Sequence, residues 1–288
     1  MYIIANIAGG LGNQMFQYAA AYALAQNKNF KLILDISDFT KINNRAFQLK
    51  HCFDITNNIA TNKEVKSILG MRRFFLIRRI LKKINKITPN LLIEEPYIFN
   101  ERFLEVENSI YLQGYWQNYN YFLSYKKKLQ NIFKLKSLSS KDILFSDHYL
   151  KMNNLTSVHI RKGDYINKNN KNIFNQLGTK YYMESISYIK NMVSKPFFFI
   201  FSDDYDWVKD NIKLPHNEYI LMDHSLDSLI DFKLMSLCQH HIIANSTFSW
   251  WPAWLKDENR GDIVIAPKKW LNTNLEPKGI IMPSWVQI

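Results

Sequence analysis

Two groups of glycine, amide and basic residues, each placed directly after an apolar run, are the residues in this sequence best suited to chemistry. The first group lies in AGGLGNQMFQYA at 8 to 19, and the second lies in VHIRKGDY at 158 to 165. Apolar runs of this length predict strands, and ligands bind where parallel strands end. The pair therefore predicts two Rossmann-like halves that face one cleft. The candidate residues of the first group are Gly10, Gly12, Asn13 and Gln14.

The second group contains the best candidate for binding an anion. The guanidinium of Arg161 has a fork of donors that suits two phosphate oxygens, and Lys162 adds a second positive charge. Gly163 permits close approach of the backbone to a ligand. Asp164 could accept a proton, hold the arginine or cap the next segment. His159 is either a catalytic residue on the strand face that it shares with Arg161 or a histidine of the core.

A third segment, IIANSTFSWWPAWL at 242 to 255, places a small polar turn between a predicted strand and a predicted helix. Free N–H groups at a helix start, together with the helix dipole, favour a diphosphate. The candidate ligand-binding residues in this segment are Asn245, Ser246, Thr247 and Phe248. Ser and Thr at a helix start also serve as plain caps, so both uses stay open.

Carboxylates follow a further apolar run, FFFIF at 197 to 201. Ser202 and Asp203 are candidates for contacting a guanine edge, whose two N–H donors suit a carboxylate, although turn formation is the commoner use of Asp. Asp204 and Asp206 have the spacing of a metal-binding pair. Because basic residues and a helix start can neutralise a diphosphate without an ion, we expect no metal.

Two familiar nucleotide-binding motifs are incomplete or absent. Gly10 and Gly12 begin a dinucleotide fingerprint, but Met15 stands where the third glycine should be, and Asp35 alone keeps that alternative open. No Gly-Lys-Ser or Gly-Lys-Thr follows the glycines, which excludes a phosphate-binding loop of the Walker type.

The apolar periodicity predicts an α/β protein. The first half begins with a strand at 2 to 7, a helix at 13 to 27 and a strand at 31 to 35. Thr61 and Glu64 form a capping-box pattern for a short helix ended by Gly70. The second half alternates strands at 155 to 160, 197 to 201, 241 to 244 and 262 to 265 with helices at 180 to 193, 226 to 238 and 249 to 256. Such alternation indicates a parallel sheet.

Length and composition favour two compact domains. The chain has 288 residues, of which 47% are hydrophobic, and a Lys- and Ser-rich stretch predicts a linker at about 134 to 153, between domains at 1 to 145 and 146 to 288. Cys52 and Cys238 have no zinc-binding spacing. No apolar run is long enough to span a membrane and the amino terminus lacks a secretory signal, so we expect a soluble, cytoplasmic protein.

The excess of positive charge is concentrated in one segment. RRFFLIRRILKKINKI at 72 to 87 has seven basic residues and no acidic residue, in a chain with a net charge of +12. Its apolar residues recur at helical spacing, which predicts a basic amphipathic helix. Such a helix either packs on the core with solvated lysines or makes peripheral contact with an anionic membrane face. Nucleic acid is not an expected partner, because no aromatic stacking platform is interleaved with the charges.

These segments together closely resemble the bacterial family of α-1,2-fucosyltransferases. The resemblance spans nearly the whole chain and rests on GGLGNQMFQYA, HIRKGDY, FSDDYDW at 201 to 207, and LMSLCQHHIIANSTFSWWPAWL at 234 to 255. It implies the glycosyltransferase B type fold and an inverting, metal-independent transfer of L-fucose from GDP-fucose to the 2-hydroxyl of a galactose unit. An acceptor-side N-terminal domain and a GDP-fucose-binding C-terminal domain are also implied.

The resemblance assigns roles to the candidate residues. Arg161 would hold the donor pyrophosphate, Asp203 would face the guanine, and the segment from Ser246 to Phe248 would lie against the donor. The first group would form the opposing wall of the cleft. Lys162 stands where the family commonly has a second arginine, and it keeps the charge but loses the bidentate fork. Asp164 is the candidate general base, or else it is bonded to Arg161.

Other functions stay open from the residues alone. A fucosyltransferase of another linkage or acceptor, including one acting on protein hydroxyls, would share the donor residues, and a nucleotide-sugar-binding or lectin-like module would bind without turnover. The aromatic stretch from Tyr111 to Tyr125 could stack on sugar faces or pack in the core. The basic helix would suit a lipid-linked oligosaccharide acceptor at the cytoplasmic membrane, as in O-antigen or other lipopolysaccharide synthesis.

Overall fold

The chain divides into two compact units. A computed structural model describes residues 1–40, 46–70, 90–136, 154–162, 175–222, 228–256, 261–272 and 277–288. One unit comprises Met1–Lys134 with Pro277–Ile280, and the other comprises Leu135–Glu276 with Ile281–Ile288. The basic segment at 72 to 87 and the proposed boundary at 145 lie outside the described residues. No helix among the described residues is long and apolar enough to cross a membrane.

The described part of the first unit is built on a five-stranded parallel sheet. Its strands are β1 (Tyr2–Asn6), β2 (Lys31–Asp35), β3 (Asn58–Ile59), β4 (Leu91–Ile93) and β5 (Ile110–Gln113), in the order β3-β2-β1-β5-β4. Its α-helices are α1 (Leu11–Lys28), α2 (Leu49–Cys52), α3 (Asn62–Leu69) and α4 (Lys126–Ile132). The chain thus leaves β1 toward one edge and returns on the other side of it, at β4 and β5.

The described part of the second unit has a six-stranded parallel sheet. Its strands are β6 (Leu155–Ile160), β7 (Phe197–Ser202), β8 (Tyr219–Leu221), β9 (His240–Ile242), β10 (Val264–Ala266) and β11 (Val286–Gln287), in the order β11-β10-β9-β6-β7-β8. Its α-helices are α5 (Thr179–Met192), α6 (Tyr205–Asn211), α7 (Ser228–Leu237) and α8 (Thr247–Trp254). This is a doubly wound order, and its direction switches between β6 and β9.

The structure confirms the predicted α/β class and most predicted elements. Strand β6 has the predicted bounds, Leu155–Ile160. All six of its residues are buried, as is typical of a central strand in a parallel sheet. The Thr61 hydroxyl accepts from the Glu64 N–H at 3.2 Å and the Glu64 carboxylate accepts from the Thr61 N–H at 2.7 Å, which confirms the capping box. Helix α8 begins two residues before its predicted start, because Ser246 caps it.

Several elements of the structure were not predicted. Strands β3, β4, β8 and β11 have two or three residues each, too few for an apolar period to be visible. Strand β5 overlaps the start of the aromatic stretch at 111 to 125, in which apolar and polar residues do not clearly alternate. Helix α7 covers Ser228–Leu237, and the first two residues of the helix predicted at 226 lie outside the described residues.

The segment Pro277–Ile280, which belongs to the first unit, is held by a buried amide. The Asn118 side chain is 1% exposed and donates to the carbonyl of Lys278 at 2.8 Å, and the Tyr119 N–H donates to the Gly279 carbonyl at 2.7 Å. Gly279 has a φ of +88°, and a Cβ on it would overlap the Asn118 amide. A glycine is therefore required there both by conformation and by space.

Gly279→Ala should destabilise the protein more than Gly261→Ala. Both substitutions force a positive φ on alanine, which costs about 1–2 kcal/mol. Among the described residues, however, no atom lies within 4 Å of a Cβ at Gly261. The clash with Asn118 should add about 1–3 kcal/mol for Gly279→Ala. Urea unfolding of both variants measures the difference, and equal losses of unfolding free energy would contradict the packing of this segment.

Candidate functional site

The candidate site of the second unit lies at the switch point of its sheet. Strand β6 ends at Ile160 and is followed by Arg161 and Lys162. Strand β9, its neighbour, is followed by the Asn245–Phe248 segment that begins helix α8. Open parallel sheets bind ligands in the crevice outside the carboxyl ends of two such strands. The fold therefore brings two of the three predicted motifs to one sheet edge.

An ion pair orients the arginine of this site. The register of β6 and β7 pairs Ile160 with Ser202, so the residue that follows each strand lies at the same edge. The Arg161 Nε lies 3.1 Å from the Asp203 Oδ2, and the Asp203 Oδ1 accepts from the backbone N–H of Lys162 at 2.7 Å. One carboxylate therefore binds both the side chain and the backbone of the Arg-Lys segment.

The roles expected of two acidic residues stay predictions. Asp203, expected to face a guanine, lies against Arg161, and that guanine contact stays a prediction. Asp164, expected to serve as a base or to bond the arginine, lies outside the described residues, as does Gly163.

Lys162 extends its side chain within the second unit. Its Nζ donates to the Leu177 carbonyl at 2.5 Å and lies 3.9 Å from the centroid of the Trp207 ring. Burial lowers the pKa of Lys162, and the nearby carboxylates of Asp204 and Asp203 oppose that shift. A cation on an aromatic face secures helix α6, so this ammonium has a structural partner that the sequence did not reveal.

Ser202 and Asp204 form the turn between β7 and α6. The Ser202 hydroxyl donates to the Asp204 carbonyl at 3.1 Å and accepts from its N–H at 3.0 Å. The Asp204 carboxylate caps α6 by accepting from the Trp207 N–H at 2.9 Å. Turn formation and capping, left open by the sequence, are thus the observed uses of these residues. In the described part of the chain, no three His, Cys, Asp or Glu side chains are grouped so that they could hold a metal ion.

The start of helix α8 is a short, half-buried segment that is anchored by buried residues on both sides. Ser246 caps the helix, its hydroxyl accepting from the Phe248 N–H at 3.3 Å, and Ser246, Thr247 and Phe248 are half-buried. The buried Asn245 amide donates to the carbonyls of Asn175 and Trp270 at 2.8 and 2.9 Å. The body of the helix is anchored by fully buried indoles at Trp250, Trp251 and Trp254.

His159, on strand β6, contacts helix α8. It is 6% exposed, its Nδ1 lies 2.8 Å from the hydroxyl of Ser249, and its ring centroid lies 5.8 Å from that of Phe248. Of the two readings left open by the sequence, the geometry fits a core histidine with a satisfied hydrogen bond. Ser249 is a partner that sequence reasoning missed, because no local pattern links residues on β6 and α8.

The glycine motif of the first unit lies at the start of helix α1. The helix begins at Leu11, earlier than predicted, so Gly12, Asn13 and Gln14 belong to its first turn and Gly10 occupies the capping position. Asn13 accepts through Oδ1 from the Gln117 amide at 2.9 Å. This motif therefore adjoins the loop that follows β5.

Gln14 has a structural role in this motif. It is fully buried and donates through Nε2 to the carbonyls of Gly9 and Ala46, each at 2.9 Å. Its Oε1 accepts from the Gln48 N–H at 2.9 Å. Gly12 is also buried, and the role of both residues in a ligand-facing wall stays a prediction.

The fold is similar to that of solved structures. Fucosyltransferase NodZ from Bradyrhizobium has a similar structure, with a TM-score of 0.54 and 14% identity over 87% of this chain and 91% of NodZ. A structure of NodZ soaked with GDP-fucose gives a TM-score of 0.51, at 16% identity over 88% of this chain and 92% of that one. Two parallel Rossmann-like units of this kind are the glycosyltransferase B type fold, which confirms the prediction.

The family follows from sequence comparison. Residues 2–288 match Glycosyl transferase family 11. The chain is 35% identical to an alpha-1,2-colitosyltransferase of Escherichia coli (93% of this chain, 92% of the relative) and 34% identical to the O-antigen biosynthesis glycosyltransferase WbnK of the same species (98% and 99%). It is 23% identical to the galactoside alpha-(1,2)-fucosyltransferase 2 of Hylobates lar (98% and 78%). The chain belongs to glycosyl transferase family 11, as the predicted resemblance to α-1,2-fucosyltransferases required.

The hydrogen bond between His159 and Ser249 should appear as a coupling in stability. A cycle of His159→Leu, Ser249→Ala and the double variant, followed by urea unfolding, should give a coupling energy of about 0.5–3 kcal/mol, as for buried residues in contact. Ser185→Ala is the matched control, because Ser185 is a buried serine that bonds the Tyr181 carbonyl instead. Additive losses for His159 and Ser249 would contradict the observed contact.

Proposed function

We propose that the protein transfers L-fucose from GDP-fucose to the 2-hydroxyl of a galactose unit, with inversion and without a metal ion, in the synthesis of a surface polysaccharide such as O-antigen. Membership of family 11 supports glycosyl transfer. The names of the relatives support the α-1,2 linkage, the galactoside acceptor and the O-antigen setting. The observation that carries the proposal is Arg161, oriented by Asp203 at the switch point of the second sheet.

The donor diphosphate is assigned to the edge formed by β6 and β9. Arg161 supplies a guanidinium whose plane is fixed through its Nε, and the start of α8 supplies N–H groups and the hydroxyls of Ser246 and Thr247. We assign Lys162 and Asn245 to the support of this edge, because both are bonded inside the unit. Phe248, half-buried beside them, is assigned to packing against the donor.

The proposed mechanism is a single displacement. The acceptor 2-hydroxyl attacks the anomeric carbon from the face opposite the diphosphate, the bond from that carbon to the GDP oxygen breaks, and GDP leaves with the electron pair. Negative charge grows on the leaving diphosphate, so stabilising that charge is the main catalytic task. A fixed guanidinium and a helix start perform it without a divalent ion. The acceptor proton passes to a base, for which Asp164 remains our candidate.

Two residues are assigned to positioning. Asp203 acts through Arg161, because it fixes the plane of the guanidinium before the donor binds. His159 acts through Ser249, because it holds the first turn of α8 in place. Preorganised donors of this kind stabilise a transition state without the cost of reorganisation during the reaction. His159 therefore contributes to turnover without contacting the reacting atoms.

The name of one relative favours a second donor. That relative is an alpha-1,2-colitosyltransferase, and colitose is L-fucose without its 3-hydroxyl. Arg161 and the start of α8 are assigned to the diphosphate rather than to the sugar, so they suit either sugar donor. The choice between the two donors therefore depends on contacts with the sugar itself, and a comparison of the two donors in one assay tests it.

The test is an assay of GDP release and product linkage. The protein is incubated with methyl β-lactoside and either GDP-fucose or GDP-colitose, with and without EDTA. We expect EDTA-resistant GDP release, a higher kcat/KM with GDP-fucose, and NMR signals of an α-linked fucose on the galactose 2-hydroxyl. A higher kcat/KM with GDP-colitose would move the assignment to that sugar. Loss of turnover in EDTA, or GDP-fucose binding without GDP release, would contradict the mechanism.

A further inference from the structure

The aromatic stretch from Tyr111 to Tyr125 presents one exposed ring, and the structure describes this stretch throughout. Tyr115 is 47% exposed. Its other aromatic residues are buried or half-buried, so they account for the core packing that the sequence left open. The fully or nearly fully buried members are Tyr111, Trp116, Tyr121 and Phe122. Tyr115 is therefore the aromatic side chain of this stretch whose ring is open to a ligand.

The loop that carries Tyr115 is held by a buried carboxylate. Glu94 is 5% exposed and accepts from the Tyr115 N–H at 2.5 Å. Burial raises the pKa of Glu94, and hydrogen bonds from the backbone of Trp116, Tyr115 and Gln117 oppose that shift. A Cβ on Gly114 would overlap the Glu94 side chain. The carboxylate thus binds the backbone of the loop at Tyr115, and Gly114 leaves room for it there.

A further hydrogen bond and a strained residue restrict the conformation of this loop. The Gln17 amide donates to the Gly114 carbonyl at 3.0 Å. Trp116 has a φ of +56°, a left-handed value that is unfavourable for a buried indole residue. Such strain persists only where the surroundings determine it, and it is concentrated at functional sites. The exposed ring of Tyr115 therefore stands on a rigid support.

The ring lies beside the glycine motif at the carboxyl edge of the first sheet. Strand β5 pairs with β1, so the loops that follow them are adjacent. The Tyr115 Cε1 would lie 3.4 Å from a Cβ on Gly9, and the Gln117 amide donates to Asn13 in the first turn of α1. The direction of this sheet switches between β1 and β5, which is where such sheets bind ligands.

An aromatic face next to amide groups is suited to a pyranose ring. One face of galactose carries C–H groups that pack on an aromatic ring, while its hydroxyls need donors and acceptors at the side. A tyrosine held on a fixed loop offers this contact area with little loss of conformational entropy. We propose that Tyr115 is the stacking surface for the galactose unit of the acceptor, an inference that rests on the proposed function and names a residue of its acceptor site.

The test compares three substitutions at one position. Tyr115→Ala should raise the KM for methyl β-lactoside about tenfold, the size expected for an aromatic contact of this kind. Tyr115→Phe should remain close to the wild type, and Tyr115→Leu should lie between them, because it keeps apolar bulk without a flat face. The KM for GDP-fucose and the slow release of GDP without acceptor should not change in any of the three. Leu104→Ala is the control, because Leu104 is 48% exposed in the same unit.

Two results would overturn the inference. One is an unchanged acceptor KM in Tyr115→Ala, and the other is an equal rise in KM for donor and acceptor. Saturation-transfer NMR with methyl β-galactoside separates this inference from the proposed function. If the wild type transfers no sugar but binds this probe, loss of the signal in Tyr115→Ala supports a galactoside site and only the proposed function fails. No binding by the wild type, or an unchanged signal in the variant, overturns the inference itself.

Discussion

The contact between Arg161 and Asp203 is the interaction on which the candidate site depends. It exists because β6 and β7 are paired in parallel with Ile160 opposite Ser202, so the next residue of each strand emerges at one edge. A guanidinium in water has no fixed plane, whereas a carboxylate that also binds the following backbone N–H sets both its position and its orientation. The sheet thus holds a flexible cation in one orientation, at the edge to which we assign the donor diphosphate.

Buried polar side chains hold the loops of both units. Gln14 and Glu94 are buried in the first unit and bind backbone groups of loops, while His159 and Ser249 join a strand to a helix in the second. A buried polar group is costly unless it is hydrogen-bonded, so each satisfied group favours one loop conformation over others. Rigid loops then present exposed residues such as Tyr115 in a defined place. The same physical device therefore serves both candidate sites.

The sequence predicted what depends on local pattern, and it missed what depends on register or tertiary contact. The bounds of β6 and the capping box at Thr61 follow from neighbouring residues, and both are confirmed. The bond between His159 and Ser249 joins residues that are far apart in the chain, and no spacing rule reveals it. Asp203 was predicted as a candidate with another partner, because strand register is invisible in one sequence. The contact between Lys162 and Trp207 on α6 likewise depends on tertiary structure.

The most direct test of the account is a double-mutant cycle on turnover with Arg161→Lys and Asp203→Asn. If Asp203 acts by orienting the guanidinium, Arg161→Lys should lower kcat about 100-fold. Asp203→Asn should cause a smaller loss, and the double variant should lose little more than Arg161→Lys alone. Losses in kcat that multiply in the double variant would show that the two residues act independently, and near-normal kcat in Arg161→Lys would remove the arginine from the mechanism.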